Sequence, residues 1–212
     1  RELDEETRVI ELCRTALENG RPLRALSLDP DDARRLRGFS FLSAKPLLVV
    51  LNLDEADVAD PTGAIERAGI SECLSGAATE AVRVCAKIEL EIAELAADDR
   101  SVFLADLGLK DSGLDRVIRA SYHLLGYISF FTTGKDECRA WSVPRGTSAQ
   151  DAAGQIHSDI ARGFIRAEVV HYSALSARNG SLAACREHGE VRLEGKDYEV
   201  QDGDVINFRF AT

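Results

Sequence analysis

The sequence predicts two parts of different build, an α/β part with parallel strands followed by an α+β part, on three observations. An unbroken apolar run from Lys45 to Asn52 interrupts helical patterns in the first half. A second strand-like run, Ala81 to Ala86, follows it after a short helix. From Tyr127 onward strand-like segments dominate, with helical spacing confined to one segment. A run without alternation suits a strand covered on both faces, and strand, helix, strand is the βαβ unit of a doubly wound parallel sheet.

The elements follow in order. Residues 1–19 carry Leu3, Val9, Ile10, Leu12, Cys13, Ala16 and Leu17 mostly on one stripe, and Asn19-Gly20 supplies the stop. Asp29-Pro30 gives an N-cap and a first-turn proline for a short helix through about Arg37. These two pieces read as the end of a helical hairpin. After the strand at 45–52 comes a short helix around Ala64–Ala68, then a loop rich in Ser and Gly and the strand at 81–86. Helices are expected at about 88–95, 98–107 and 113–125, the last with Leu114, Val117, Ile118, Ser121 and Leu125 at helical spacing. Strands at 127–132 and 138–143 join through a turn at Gly134. One amphipathic helix is expected over 148–162, then strands at 164–172, 191–193, 197–200 and 205–210. Two strands, a helix, then further strands is the order of a β-grasp, ubiquitin-like domain.

Composition narrows the function classes. The 212 residues are 45% hydrophobic and 29% charged, which excludes a disordered chain. The longest apolar run, Pro46 to Leu51, falls far short of the ~20 residues of a membrane span, so no membrane partner and a cytoplasmic location are expected. Net charge is −10, of which residues 121–212 contribute only −2. An acidic chain gains no long-range attraction to phosphate backbones, although a local basic patch on the second half remains open. The cysteines, Cys13, Cys73, Cys85, Cys138 and Cys185, form no C-x-x-C pair and share no ligand spacing with His123, His157, His171 or His188. Reduced thiols and no metal site are expected. The sequence contains no methionine and begins at Arg1, which fits the C-terminal part of a longer protein.

Chemistry concentrates at two strand ends. Asn52-Leu53-Asp54-Glu55 follows the first strand, where a doubly wound sheet binds its ligands. P-loop GTPases place N-K-x-D there, with the Asp accepting two hydrogen bonds from guanine. Here Glu55 stands at that position, and a carboxylate one methylene longer does not hold the same bidentate geometry, so altered base preference is expected. The second strand ends in Cys85-Ala86-Lys87, similar to the S-A-K loop whose backbone amides contact the base edge in the same GTPases.

Together with Ala44-Lys45-Pro46, Phe130-Phe131-Thr132-Thr133-Gly134, Arg139-Ala140-Trp141, the run Ala152 to Asp159, the run Gly163 to Val169, Glu194 to Tyr198 and Gln201 to Ile206, these motifs resemble the Obg-like ATPase (YchF-type) family of P-loop proteins. The resemblance runs from about Gly20 to the C-terminus. It implies the end of a helical arm at 1–45, the C-terminal part of a nucleotide-binding domain at 46–127, and a TGS-type β-grasp domain at 128–212. It further implies ATP, with Mg²⁺, in preference to GTP, and association with the ribosome or RNA through the TGS domain and helical arm. Asn52 and Glu55 would then read the base edge, Leu53 would pack on the ring face, and Cys85, Ala86 and Lys87 would close the other edge.

One departure is decisive. No G-x-x-x-x-G-K-[ST] occurs in the 212 residues, so the loop that cradles phosphates and holds Mg²⁺ is missing from this sequence. The chain as it stands is expected not to hydrolyse ATP, and its natural partner is the N-terminal half of the nucleotide domain. Smaller departures are Cys85, Ser158 and Ile160 for the usual Ser, Thr and Phe. Two alternatives stand beside this reading: a stand-alone TGS-type module that binds RNA, ribosome or protein without nucleotide, and the TGS appendage of a synthetase. The latter lacks any synthetase catalytic core here. Of the other prominent residues, His157 and Asp159 lie two apart on the expected helix and so point to different sides. Trp141 and Phe131 suit a core as well as a stacking platform, and Arg139, Arg162 and Arg166 suit either a basic patch or a solvated surface.

Overall fold

The computed structural model describes residues 2–58, 60–74, 76–134 and 137–211. The side chains of Glu2, Pro61, Thr62, Glu72 and Cys73 lie outside the description. The chain is mixed α/β and divides into two compact units, residues 1–125 and residues 126–212.

The first unit opens with helices α1 (Glu2–Glu18) and α2 (Pro30–Leu36). Val9, Cys13 and Ala16 of α1 pack with Leu23 and Leu36 in a small buried cluster. The Asp29 side chain caps α2 by accepting from the Asp31 and Asp32 amides, and these backbone bonds hold its carboxyl below the usual range. Arg8 of α1 donates to both oxygens of the buried Asp32 at 2.8 Å, which ties the two helices together.

Strand β1 (Leu47–Asn52) is followed by α3 (Pro61–Arg67) and α4 (Ser71–Leu74) and then by β2 (Thr79–Val84), which pairs with β1 in parallel. Helices α5 (Ala86–Glu94), α6 (Ala97–Asp106) and α7 (Gly113–Leu124) complete the unit. The βαβ order is present, but β1 is not covered on both faces. Its residues are half-buried or exposed, with Val50 49% exposed, because among the described residues β2 is its one strand neighbour. The second strand also begins earlier than expected, at Thr79, and Cys85-Ala86 already belong to the turn into α5.

The second unit is a five-stranded sheet in the order β4-β3-β7-β5-β6. Its strands are β3 (Tyr127–Thr133), β4 (Cys138–Pro144), β5 (Phe164–His171), β6 (Arg192–Glu194) and β7 (Asp204–Phe210). β3 runs antiparallel to β4 and parallel to β7, and β5 pairs antiparallel with both β6 and β7. One face carries Phe130, Val143, Ala167, Val169, Ile206 and Phe208 against Ala149, Ala152 and Ala153 of α8 (Ala149–Ile156). Alanines on that helix let it approach the sheet closely.

Three expectations fail here. The helix over 148–162 is two helices, because His157 adopts an extended φ of −162° and caps α9 (Ser158–Arg162) with its ring. Ile156 before the break and Ile160 after it both pack against the core. Residues 197–200 form no strand; they turn instead, with Glu199 making a single bridge to Ser148. Tyr172 does not extend the strand but opens α10 (Tyr172–Ala177), which with α11 (Leu182–Glu187) covers part of the opposite sheet face through Leu175 and Cys185. Among the described residues, no helix is long and apolar enough to cross a membrane.

Candidate functional site

The parallel register of β1 and β2 brings Asn52 opposite Val84, so the two motifs leave the sheet side by side. The Leu53 amide donates to the Val84 carbonyl at 2.7 Å and carries the pairing one residue further. Beyond that point the chain turns into a short 3₁₀ segment at Glu55–Asp57, while the partner strand turns into α5.

A helix start needs acceptors for its first amides. Cys85 is the N-cap of α5 and is buried, yet its thiol makes no capping bond. The acceptor comes from across the sheet: the Asn52 carboxamide oxygen takes the Ala86 N–H at 3.1 Å. One side chain thereby joins the two motifs.

Lys87 bridges the same two segments from the outside. Its ammonium donates to Asp54 at 3.1 Å and lies 3.8 Å from the Glu55 carboxylate. The Asp54 hydrogen bond, with the fields of Asp54 and Glu55, raises the Lys87 pKa and keeps it charged. All three side chains are more than half exposed, so solvent screens these pairs strongly. Leu53 and Cys85 line a cavity of about 140 Å³ that also touches Val58, Ile88, Glu89, Leu109 and Arg116. All six expected site residues, Asn52, Leu53, Glu55, Cys85, Ala86 and Lys87, therefore lie on two adjacent turns or on the wall beside them.

Two residues of these motifs carry roles that spacing alone did not assign. Asp54 is the closest partner of Lys87. Glu89, one turn beyond Ala86, accepts from the Gly113 amide at 2.6 Å and the Leu114 amide at 3.3 Å, which closes the start of α7. Ser112 takes the Asp115 amide, so three leading amides of α7 have acceptors. The signal for Glu89 was present as a carboxylate one turn into a helix, but its target lies 24 residues away.

The remaining prominent residues have structural partners. His157 and Asp159 are brought together, not apart: the ring accepts the Asp159 amide at 3.2 Å and sits 3.5 Å from its carboxylate, as a helix cap. Trp141 stacks on Phe130 with ring centroids 6.5 Å apart, donates to Thr132 at 2.9 Å, and carries the Arg139 guanidinium on its ring. Phe131 packs beside the cluster under α10 and α11. Arg162 pairs with Asp159. Cys13, Cys85, Cys138 and Cys185 are free thiols, and burial pushes the Cys13 and Cys185 thiols up.

Known proteins resemble this chain in sequence and fold. The family YchF-GTPase_C, described as a protein of unknown function, matches residues 127–211. The chain is 46% identical over 205 residues to the "Ribosome-binding ATPase YchF" of Bacillus subtilis (strain 168), covering 97% of this chain and 56% of that one. The protein of the same name from Escherichia coli O157:H7 is 42% identical over 205 residues, with 97% and 55% covered. Among solved structures, the YchF GTPase of Schizosaccharomyces pombe superposes with a TM-score of 0.77 at 26% identity, over 97% of this chain and 55% of that one. The chain thus spans about half the length of the curated relatives it matches. The sequence match over both units and the shared fold lead to one conclusion: the chain belongs to the YchF, or Obg-like, family and corresponds to the C-terminal part of such a protein.

Proposed function

We propose that this chain is the base-recognising and ribosome-engaging part of a cytoplasmic ATP hydrolase. Residues 1–45 end a helical arm, residues 46–127 complete a nucleotide domain, and residues 128–212 form a TGS-type β-grasp domain. The central parallel pair β3–β7, with α8 laid across one sheet face, supports the β-grasp reading. The ribosomal partner follows from relatives whose name is ribosome-binding ATPase. Phosphates and Mg²⁺ fall to P-loop elements that this sequence does not contain, so base recognition is this chain's share.

The observation that carries the ATP preference is the bond from the Ala86 amide to Asn52. Guanine presents a carbonyl oxygen at its six-position and needs a donor, whereas adenine presents an amine and needs an acceptor. The Ala86 N–H is already spent on Asn52. Glu55, at 3.8 Å from Lys87, is the acceptor with capacity to spare. Leu53 adds apolar contact that does not depend on base identity. A polar group left unmatched at the base edge costs about 1–3 kcal/mol, roughly 5- to 150-fold in affinity.

Titration of the protein carrying its P-loop half with ATP and with GTP tests this. ATP binds at least several-fold tighter, and Glu55→Asp narrows the gap. Equal affinities, or no response to Glu55→Asp, refute the assignment of the base edge to this turn.

A further inference from the structure

The sheet face of the second unit opposite α8 is only partly covered. Val170 and Val205 lie under α10 and α11, and the rest of that face carries Arg166, Glu168, Asn207 and Arg209. Arg166 and Arg209 are directly paired across β5 and β7, so two guanidiniums project from the same side of the sheet at adjacent positions. Like charges directly opposite one another destabilise a strand pair.

A single carboxylate offsets them. Glu168 accepts from Arg209 at 3.2 Å through both oxygens, from Arg186 of α11 at 3.0 Å, and from Asn207 at 3.2 Å. Burial acts to raise the Glu168 carboxyl, yet the two arginines outweigh it and hold it below the ordinary glutamate value. Glu168 is largely buried, whereas Arg186 and Arg209 remain about half exposed. Their guanidiniums are thus fixed from beneath and keep further N–H groups toward solvent. Arg166 has no ion-pair partner among the described residues. Three cations around one carboxylate make a local excess of positive charge on a chain whose net charge is −10.

We propose that this outer sheet face docks the phosphodiester backbone of RNA, with Arg166, Arg186 and Arg209 as the phosphate contacts and Glu168 as the residue that positions two of them. The fork of a guanidinium matches a phosphate in bidentate fashion, and pre-orientation by Glu168 lowers the entropy lost on contact. An RNA fits this face better than a protein does. Protein interfaces are built on central aromatic and apolar anchors, and here Leu193 of β6 is the exposed apolar residue registered beside Glu168. The proposal rests on the ribosome association argued above and names the surface that makes it.

The test uses the 212-residue chain with a short fluorescent RNA hairpin and, separately, with purified bacterial ribosomes. Arg166→Gln/Arg209→Gln weakens hairpin binding about tenfold at moderate salt and lowers the slope of log affinity against log salt by about two. Arg166→Lys/Arg209→Lys recovers most of both, and Arg139→Gln/Arg162→Gln leaves them within about twofold of the unmodified chain at the same salt. An unchanged unfolding midpoint by Trp141 fluorescence confirms that the second unit is intact in each variant. If the Gln variant binds hairpin and ribosome like the parent, the surface is wrong while ribosome association stands. If the parent binds ribosomes but no RNA, the face docks protein and the proposal is overturned. If the parent binds neither, both the surface and the ribosome reading of this chain fall.

Discussion

Helix α7 begins against the side chain that closes it, and this makes a sharp test of how the first unit is tied together. Glu89 accepts the Gly113 and Leu114 amides, and removing it by Glu89→Ala strands both at a partly buried helix start. Loss of an N-terminal cap costs about 0.5–2 kcal/mol. Gly113→Ala acts on the same spot from the other side. A Cβ there falls 2.7 Å from Glu89 Oε1, 3.0 Å from Glu89 Cδ and 3.0 Å from Val84 Cγ1, an overpacking worth about 1–3 kcal/mol. Two of those three clashes disappear once Glu89 is gone. The double variant is therefore less destabilised than the sum of the singles by about 1–2 kcal/mol, well beyond the ~0.5 kcal/mol expected of independent sites. Urea unfolding followed by far-ultraviolet circular dichroism reads the first unit. The single tryptophan, Trp141, lies in the second unit and serves as an internal control. Additive singles, or a Trp141 transition that moves in step with the helical signal, refute the clamp.

Two further outcomes follow from the second unit. A Cβ on Gly163 meets the Ala211 carbonyl oxygen at 2.1 Å, and Ala211 in turn donates to the Gly163 carbonyl, so Gly163→Ala costs about 1–3 kcal/mol and lowers the Trp141 unfolding temperature by roughly 4–24 °C; an unchanged midpoint shows that the chain end yields freely. Burial and the hydrogen bond to Asp204 push the Tyr198 phenol up to about 12 despite Arg192, above its unfolded value near 10. A raised pKa means that this contribution is whole below pH ~10 and is lost as pH rises toward ~12, so the second unit loses stability across that alkaline window and Tyr198→Phe removes that dependence. Absorbance titration in which all four tyrosines ionise together near pH 10 refutes it.

Much of the fold was legible because local chemistry and tertiary need agree. Asp29-Pro30 announces its helix and does cap it. The break at His157 was not legible, since Ala152, Ile156 and Ile160 keep helical spacing across it and histidine is an uncommon cap. Helices α10 and α11 were missed because they are six residues each, too short to establish a period, and their apolar positions matter only against the sheet. At the candidate site, the pairing of the two motifs followed from strand order. What sequence did not disclose was the direction of each bond: that Asn52 turns its oxygen to Ala86, that Lys87 selects Asp54, and that Glu89 leaves the site for α7. Those choices depend on partners 24 to 34 residues away and on which amides a helix start leaves open.

Strand β1 shows why an unmet expectation still carries information. Leu47 to Leu51 are apolar without alternation, a pattern that gains stability only when both faces and both edges are covered. Among the described residues one edge of β1 has no strand against it, and Val50 stands half exposed. The residue pattern thus suits a strand with cover on both faces, whereas Asn52, Lys87 and Glu89 already have partners in Ala86, Asp54 and Gly113. The turn proposed to face a base is held by its own bonds between the two strand ends and does not draw on the cover of β1. Covering β1 is then a matter of stability, and the geometry proposed to read the base does not wait on it.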